Sequence, residues 1–412
     1  MKSRFFVAAL ALPLAVSSAY AQDSSPVRIS GFGTAALTWS DTDQAEFARP
    51  NQASGVKKDP RTGVDSNLGL QADYSVNSWL SVTGQGLVRK DGEDNYGAEL
   101  TWAFAKAKIS DQLSVRVGRL VLPTFMISEY RNVGYANTFL RPPQEVYSQV
   151  PLNSVDGADL TWQQAYGDTT FTAQLALGRS KTTLGSNVDA ELNRLRALTL
   201  TAEHGPFTVR VGRTETKLTV EAAQFNSIVS ALNTAGNAFK ISQLNDMARL
   251  VDNHKKKGSF TSAGLGMDWN NIIAQTEYAK RKVDTASGST DSWYVLGGYR
   301  IGKFVPYYSH AKLSVSSDFV NTIPTACAAG SPAACNATVR TLRSTLESLR
   351  TGTNNGAQST DSIGLRWDFA SSADLKFQVD RIKPDSKGLF VHTVSGFKGP
   401  VTVAAVAVDF IF

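Results

Sequence analysis

The last twelve residues of the chain, VTVAAVAVDFIF at positions 401–412, alternate in the manner of a β-strand. One face of this strand carries the larger side chains Val406, Val408, Phe410 and Phe412. The other face carries Ala405, Ala407, Asp409 and Ile411. Such a strand is either buried in a soluble core or part of the wall of a membrane barrel, with its aromatic rings at the lipid–water boundary. The rest of the sequence distinguishes these two interpretations.

The N-terminal segment, residues 1–21, has the pattern of a secretory signal peptide. Lys2 and Arg4 precede an apolar stretch at 5–16, and small residues follow it. A permanent transmembrane helix needs about 20 apolar residues, and this stretch is shorter. We therefore expect cleavage after Ala21, which lowers the formal charge from +6 to +4. That charge is mild and unlike the dense basic patches of nucleic-acid-binding proteins, so no nucleic-acid partner is expected.

The exported part, residues 22–412, has no internal boundary that would divide it into domains. It contains no linker, no composition shift and no repeat at solenoid or propeller spacing. No later run is long enough for a membrane-spanning helix. Its negative mean hydropathy of −0.18 fits a membrane β-barrel, whose strands hide their apolar residues in alternation. We expect one all-β domain, a transmembrane antiparallel β-barrel.

Stretches with a strand pattern recur along the whole exported chain. They cover 27–39, 64–75, 79–90, 96–109, 112–119, 157–166, 169–179, 194–204, 207–217, 258–269, 272–282, 292–301, 304–315, 360–369, 374–383 and 397–412. These sixteen strands alternate seven short turns with eight longer loops. An even number of strands lets the first pair with the last, and closure removes the open edges that lipid would not tolerate. A soluble β-sandwich does not predict this regular alternation of loop lengths.

Tryptophan placement supports the membrane interpretation. All seven Trp residues fall in or beside the predicted strands, mostly near an end, at positions 39, 79, 102, 162, 269, 293 and 367. Amphipathic rings in two interfacial belts explain this placement. Burial in an ordinary core is the alternative, but it does not explain the shortage of Trp in the long loops.

Sixteen strands, the terminal Phe412 and the motif SVRVGR at 114–119, followed by a long third loop, resemble the Gram-negative general porins. The resemblance covers the exported chain as architecture and is most specific at this motif and the C-terminal strand. It implies an outer-membrane location, a third loop that folds into the barrel and narrows the pore, and association of three barrels. The third loop here, residues 120–156, departs from the acidic, Gly-rich loop of many members, because it carries aromatic residues and mixed charge.

Small residues on the outer face of the wall favour the trimer that the resemblance implies. Gly31, Gly33 and Ala35 lie on the outward face of the first strand, and Gly84 and Gly86 on that of the third. Small residues on a lipid-facing wall let another protein approach closely, as they do between membrane helices. We expect a homotrimer embedded in outer-membrane lipid.

The third loop is too long to be a plain connection. Its aromatic residues and four prolines argue against disorder. Inside the barrel, the loop can pack its rings on the wall and leave its charges facing water. The alternative is that it forms an external cap over the barrel.

Charged residues of the wall and the third loop are the candidates for lining the pore. They are Arg116, Arg119, Glu129, Arg131, Arg141, Glu145, Asp156, Arg210, Arg300 and Arg366. Basic groups that face a narrowed lumen lower the cost of dehydrating an anion, and rings of charge set the selectivity of a pore. The alternative is that they are paired wall charges that hold loops in place, and strand parity leaves Arg119 undecided. Acidic groups line the same wall, so we expect only a modest anion preference.

Two further loops carry structure of their own. Apolar residues recur at helical spacing in the fifth loop, 218–257, and in the seventh loop, which predicts amphipathic helices packed on the barrel mouth. Cys327 and Cys335, the only cysteines, both lie in the seventh loop. Export places them in an oxidising compartment, which favours a disulfide. Two thiols with no nearby His argue against a metal site, and no cofactor is expected.

These observations leave three functions to compare. The first is a water-filled pore for passive diffusion of small hydrophilic solutes. The second is a substrate-specific channel for anionic small molecules such as phosphate or organic acids. The third, a barrel enzyme such as a lipase or protease, needs a nucleophile, a base and an orienting group brought together. The four His are scattered and no G-x-S-x-G or H-E-x-x-H motif occurs, so we do not expect an enzyme.

Overall fold

Sixteen antiparallel strands form a closed barrel in the computed structural model, which describes residues 26–184, 188–285, 288–316, 320–353 and 356–412. The strands are β1 (Val27–Ser40), β2 (Asn67–Ser75), β3 (Leu80–Lys90), β4 (Tyr96–Lys108), β5 (Leu113–Val121), β6 (Ser154–Tyr166), β7 (Thr169–Leu184), β8 (Val188–His204), β9 (Phe207–Glu221), β10 (Lys256–Trp269), β11 (Ile272–Val283), β12 (Ser289–Tyr299), β13 (Phe304–Ser316), β14 (Gln358–Ala370), β15 (Ala373–Pro384) and β16 (Val401–Ile411). The helices are α1 (Gln144–Tyr147), α2 (Ala223–Phe239), α3 (Ser242–Val251) and α4 (Ala333–Thr353), with a 3-10 turn at Gly134–Ala136. The prediction of sixteen strands with the first paired to the last is confirmed. The expected signal segment, 1–21, lies outside the described residues.

The seam between β1 and β16 uses glycine to fit the C-terminal aromatic rings. Gly31 and Phe412 exchange two backbone hydrogen bonds, of 2.8 Å and 3.0 Å. Gly33 pairs with Phe410 in the register, and a Cβ atom at Gly33 would lie 2.5 Å from Cζ of Phe410. The outward faces of Gly31 and Gly33 are therefore covered by rings of the same chain. The expectation that these two glycines admit another protein is corrected by this contact.

The wall has an apolar outer face bounded by aromatic residues. Leu198, Leu265 and Ile363 point outward and are 48%, 44% and 67% exposed, in the alternation that strands of a membrane barrel require. Near the long loops, the Tyr308 hydroxyl donates to Asp361 at 2.8 Å. Near the short turns, exposed rings include Trp269. Polar and aromatic groups at both margins delimit the apolar band. Trp102 departs from the predicted belts, because it lines the lumen beside an irregular pairing of β3 and β4.

Some strands are longer or shorter than the sequence pattern predicts. β8 begins at Val188 and not at 194, because a register shift interrupts its alternation between Asn193 and Arg196. Arg194, inside that shift, has a left-handed φ of 52°. β16 begins at Val401 and not at 397, since Pro400 cannot donate a backbone hydrogen bond to the ladder. Where the alternation of side chains between the two faces is interrupted, the sequence pattern no longer predicts the part of the strand beyond the interruption.

The predicted helices of the fifth and seventh loops are present, but they bury their apolar faces mainly against one another. Leu232 of α2, Leu244 of α3 and Leu346 of α4 are fully buried in one cluster. Cys327 and Cys335 join in a disulfide next to this cluster, with their Cα atoms 6.3 Å apart. The three helices therefore form a cap with its own small core. None of the helices in the described parts of the chain is both long and apolar enough to cross a membrane.

Candidate pore and its charged groups

The third loop, residues 122–153 between β5 and β6, packs its aromatic residues against the inner wall. Phe125 lies with its ring centroid 4.8 Å from that of Tyr147 and 5.1 Å from that of Phe260 on β10. Phe125 is 1% exposed, and Tyr147 packs next to Tyr294 of β12. Burial of these rings against several strands holds in place a long loop that has only one short helix and one 3-10 turn.

A wall carboxylate receives one donor from each end of the loop. Glu277 of β11 accepts the backbone N–H of Met126 at 2.9 Å and the hydroxyl of Tyr147 at 2.6 Å. Gly264 of β10 lies next to Met126, and a Cβ atom at position 264 would be 2.9 Å from the Met126 sulfur. Glycine on β10 thus allows the loop to approach the wall closely.

Arg141 anchors the middle of the loop and does not line an open pore. Its guanidinium donates to both carboxylate oxygens of Asp65, at 2.7 Å and 3.1 Å, and also pairs with Asp380 of β15. The Arg141 side chain is 3% exposed and lies over the ring of Phe47. Burial would raise the pKa of Asp65, but the charges of Arg141 and Arg49 outweigh it and lower that pKa to about 2. The prediction that Arg141 faces the open pore is therefore corrected.

Glu145 is likewise an anchor. It lies in α1, is 2% exposed, and accepts hydrogen bonds from the side chains of Gln358, at 2.6 Å, and Thr360. Burial raises the pKa of Glu145, since no cation compensates for its lost hydration. The alternative interpretation from the sequence, a charge that holds a loop in place, applies to Glu145 and to Arg141.

The loop also meets the wall near the closing seam of the barrel. Arg366 of β14 donates to the carbonyl oxygens of Tyr135 and Asn137 at 2.8 Å and 2.9 Å. Lys376 of β15 donates to the carbonyl oxygen of Gly134 at 2.6 Å. A Cβ atom at Gly134 would lie 2.7 Å from Oγ1 of Thr34, so only glycine fits against β1 here. Arg366 also pairs with Asp368 at 2.7 Å and Asp374 at 3.2 Å, so wall carboxylates compensate its charge while its N–H groups fix the loop.

Three other predicted arginines have carboxylate partners on the inner side. Arg116 makes a forked contact with Asp159, which also accepts from Gln174 at 2.7 Å. Arg210 holds Glu129 with two hydrogen bonds, of 2.9 Å and 3.1 Å. Arg300 holds Asp268 at 2.9 Å beside a short turn. Each pair is close to neutral as a unit, which reduces its effect on a passing ion.

Arg119 and Asp156 do not line the lumen. Arg119 pairs with Ala103 in the register and shares strand parity with Val117, which is 58% exposed on the outer face. Asp156 lies opposite Arg119 on β6, and the two side chains meet at 2.6 Å. The expectation that they line the pore is wrong, because successive side chains of a strand point to opposite faces.

Arg131 borders two cavities inside the barrel. Two cavities, one on each side of the third loop, share Arg131, Asn132 and Asn153 in their linings. The Arg131 guanidinium donates to the carbonyl oxygen of Leu152 at 3.2 Å and lies 5.9 Å from the ring centroid of Phe125. Within the described ranges, Arg131 makes no ion pair. Its charge therefore remains available at the point where the two cavities meet.

Other cations line the same two cavities, and the sequence did not identify most of them. Arg49, Arg89 and Lys90 line the cavity on the long-loop side, and Arg28 lines the cavity on the short-turn side. Burial, together with the nearby charge of Arg89, lowers the pKa of Arg131 to about 9, which leaves the guanidinium charged near neutral pH. Arg49 comes from the first loop and Arg89 from the end of β3, so no sequence motif links them. In the described residues, no group of His, Cys, Asp or Glu is arranged to hold a metal ion.

Comparison with known proteins identifies the fold. No family model matches the chain, and no curated protein matches it. Among solved structures, it is similar to Salmonella typhi OmpF in complex with daunomycin, at 14% identity and a TM-score of 0.53, over 94% of this chain and 97% of that one. An anion-selective porin from Comamonas acidovorans matches at 12% identity and a TM-score of 0.54, over 94% and 99%. The outer membrane channel DcaP of Acinetobacter baumannii matches at 10% identity and a TM-score of 0.52, over 94% and 97%. The chain therefore has the fold of the outer-membrane porins.

Proposed function

We propose that the protein is an outer-membrane porin, a water-filled channel for passive diffusion of small hydrophilic solutes with a modest preference for anions. The observation that carries this proposal is Arg131, an unpaired cation shared by the cavities on the two sides of the third loop. A guanidinium stays charged near neutral pH and lowers the cost of bringing a partly dehydrated anion through a narrow passage.

The preference is modest because acidic groups accompany the cations. Glu99 contacts Arg89 at 2.9 Å, and Asp65 contacts Arg49 at 2.9 Å, so these two arginines are partly neutralised. Glu129 also borders the cavity on the short-turn side, although it is held by Arg210. Opposed charges along one path reduce the exclusion of cations without abolishing the bias that Arg131 creates.

Export, membrane location and assembly belong to the same proposal. Residues 1–21 direct export, the apolar outer band contacts outer-membrane lipid, and three barrels associate through the wall near β3. Gly84 and Gly86 of β3 support this contact, because they point outward and no side chain covers them. The proposal includes no enzymatic activity and no cofactor.

The test is the reversal potential of single channels in a salt gradient. Replacing Arg131 with Gln should shift the reversal potential towards cation preference while the conductance remains measurable. Arg119→Gln is the matched control, since it removes the same charge from the outer face. Equal reversal potentials for the Arg131→Gln variant and the wild type would show that Arg131 does not set selectivity.

A specific channel for anionic solutes is a second candidate. Arg49, Arg89 and Arg131 line one cavity, and each guanidinium can hold a carboxylate or phosphate with two donors. Such a channel would bind its solute, so phosphate or an organic acid would block chloride current in a saturable way. A current that declines only in proportion to the ions replaced indicates a general pore.

A further inference from the structure

A groove on the outer wall concentrates positive charge where β8, β9, β10 and β11 approach the long loops. Six basic residues line it: Arg194, Arg196, Arg213, Lys217, Lys257 and Lys282. We call it the basic groove. It is separate from the pore, which runs inside the barrel past Arg131.

Strand parity shows that the groove faces outward. Arg196 shares its face with Leu198, Arg213 with Val211, and Lys282 with Tyr278. These three neighbours are 48%, 43% and 42% exposed on the outer face. The groove therefore opens towards the surroundings of the barrel.

The register brings basic side chains from different strands side by side. Lys217 of β9 lies directly opposite Lys257 of β10. Ser259 is the next outward-facing residue of β10 towards the membrane band, and it lies opposite Lys282 of β11. Like charges placed this close repel each other unless an anion lies between them.

The protein neutralises only part of the positive charge of the groove. Within the part of the chain that the structure describes, two acidic residues line it, Glu215 and Asp284, and Glu215 is engaged by Arg213 at 3.2 Å. Among the residues that the structure describes, the other five cations make no ion pair; they are Arg194, Arg196, Lys217, Lys257 and Lys282. An uncompensated cluster of this kind on a surface favours an anionic partner.

The position of the groove along the wall identifies the partner as a lipid. Directly towards the membrane band lie Leu198, Val211 and Leu265, all exposed and apolar. Tyr278 and Trp293 are paired in the same region, as expected at the boundary between lipid and water. A lipid whose acyl chains cover this apolar band places its headgroup at the level of the basic groove.

We propose that the basic groove binds the phosphate-bearing headgroup of an outer-leaflet lipid. The assignment rests on the proposed outer-membrane location, with the long loops facing outside. Guanidinium and ammonium groups bind phosphate through charge-assisted hydrogen bonds, while the apolar band below contacts the acyl chains. The site would fix the barrel to its lipid neighbours on the side of β8–β11.

The experiment uses the full-length barrel in detergent micelles and lipid A with two phosphates as the probe. Binding is measured by native mass spectrometry for the wild type and for Arg196→Gln/Lys257→Gln/Lys282→Gln. The control triple, Arg119→Gln/Lys181→Gln/Lys383→Gln, removes the same charge from residues outside the groove that have acidic partners. A charge-preserving triple, Arg196→Lys/Lys257→Arg/Lys282→Arg, reports on folding and on shape.

We expect the groove triple to weaken lipid A binding by at least about tenfold, and the control and charge-preserving triples to bind like the wild type. Equal binding by the groove triple and the wild type would overturn the proposal. So would equal binding of a phosphate-free analogue, or binding of inorganic phosphate at the groove with the affinity of the lipid. Single-channel conductance of the same proteins separates this proposal from the porin function, because the groove lies outside the lumen and its loss leaves conductance unchanged.

Discussion

Glycine at positions 31 and 33 lets the barrel close on its own C-terminal aromatic residues. The rings of Phe410 and Phe412 stack with centroids 6.4 Å apart and cover the outward faces of these glycines. The same residue type has a different role at Gly84, where nothing lies within 4 Å of an added Cβ atom. The environment of each glycine, and not its identity, decides which contact it makes.

We predict that Gly33→Val weakens the seam. The new side chain must displace the Phe410 ring, and overpacking of this kind costs about 1–3 kcal/mol. Thermal unfolding followed by circular dichroism should show a lower midpoint. Gly84→Val is the control and should unfold like the wild type as a monomer in detergent. If both variants unfold at the wild-type temperature, the seam tolerates the larger side chain.

At the scale of elements, the third loop is held by contacts that have different chemistry along its length. Aromatic burial fixes its first part, the Arg141 ion pairs fix its middle, and Arg366 and Lys376 hold the carbonyl groups near the 3-10 turn. A cavity beside the loop is lined by residues of β1–β4. Loss of one anchor should loosen the loop without opening the barrel.

We predict that Arg141→Met makes the channel current noisier. Removing the guanidinium leaves Asp65 and Asp380 buried without their main partner, which costs about 3–5 kcal/mol. Current traces in planar bilayers measure the effect as more frequent closures. Adding Asp65→Asn and Asp380→Asn to the Arg141→Met variant should lower the frequency of closures towards that of the wild type. A single variant as quiet as the wild type would mean that the loop does not depend on this anchor.

The same anchor predicts a response to acid. The pKa of Asp65 is lowered from 3.8 to about 2, so its ion pairs stabilise the folded state above about pH 4 and lose that effect as pH falls towards 2. Closures should therefore become frequent only in this acidic window. In Asp65→Asn, closures at neutral pH should already exceed those of the wild type and change less with acid. Wild-type closures that rise near pH 6 would point to another group.

The helical cap is a second element with its own support. We predict that Cys327→Ser/Cys335→Ser loosens α4 and leaves conductance nearly unchanged, because the disulfide packs with the cap and not with the pore. A disulfide closing a short loop contributes about 2–3 kcal/mol. Limited proteolysis should cleave the seventh loop faster in the variant. Mass spectrometry of the wild-type protein must find the two thiols oxidised for this interpretation to stand.

At the scale of the whole molecule, the outer wall is not uniform around the barrel. The side near β3 carries small, uncovered residues, and the side of β8–β11 carries the basic groove. These two regions suit different neighbours, another protein wall and a lipid headgroup. The barrel therefore has a protein-facing side and a lipid-facing side in the proposed trimer.

We predict that Gly84→Trp prevents association of three barrels. A large ring on the uncovered face of β3 holds a second wall away, whereas the monomer has room for it. Light scattering of protein in mild detergent should show trimers for the wild type and monomers for the variant. Ile363→Trp, on β14, is the control and should remain trimeric. Monomeric wild-type protein would contradict the trimer itself.

The sequence by itself determined the strands, their closure into a barrel and the helical nature of two loops. Side-chain alternation in strands and apolar spacing in helices are local properties of the backbone, so they can be read along the chain. The predicted strand bounds were wrong where the side-chain alternation is interrupted, as at Arg194 of β8. The face of Arg119 also stayed undecided, since a shift of one residue exchanges the two faces of a strand.

Only the tertiary structure decided which charges face the pore. Arg141 pairs with Asp65 and Asp380, which are 76 and 239 positions away, and no sequence pattern links such distant residues. Whether an arginine is an anchor or a free cation depends on the carboxylate that folding brings beside it. Arg131 makes no ion pair within the described residues because the carboxylates that line its two cavities, Asp65 and Glu129, are held by other arginines. Which charged side chains pair depends on which of them folding brings into contact. The sequence shows only which charged groups the chain contains.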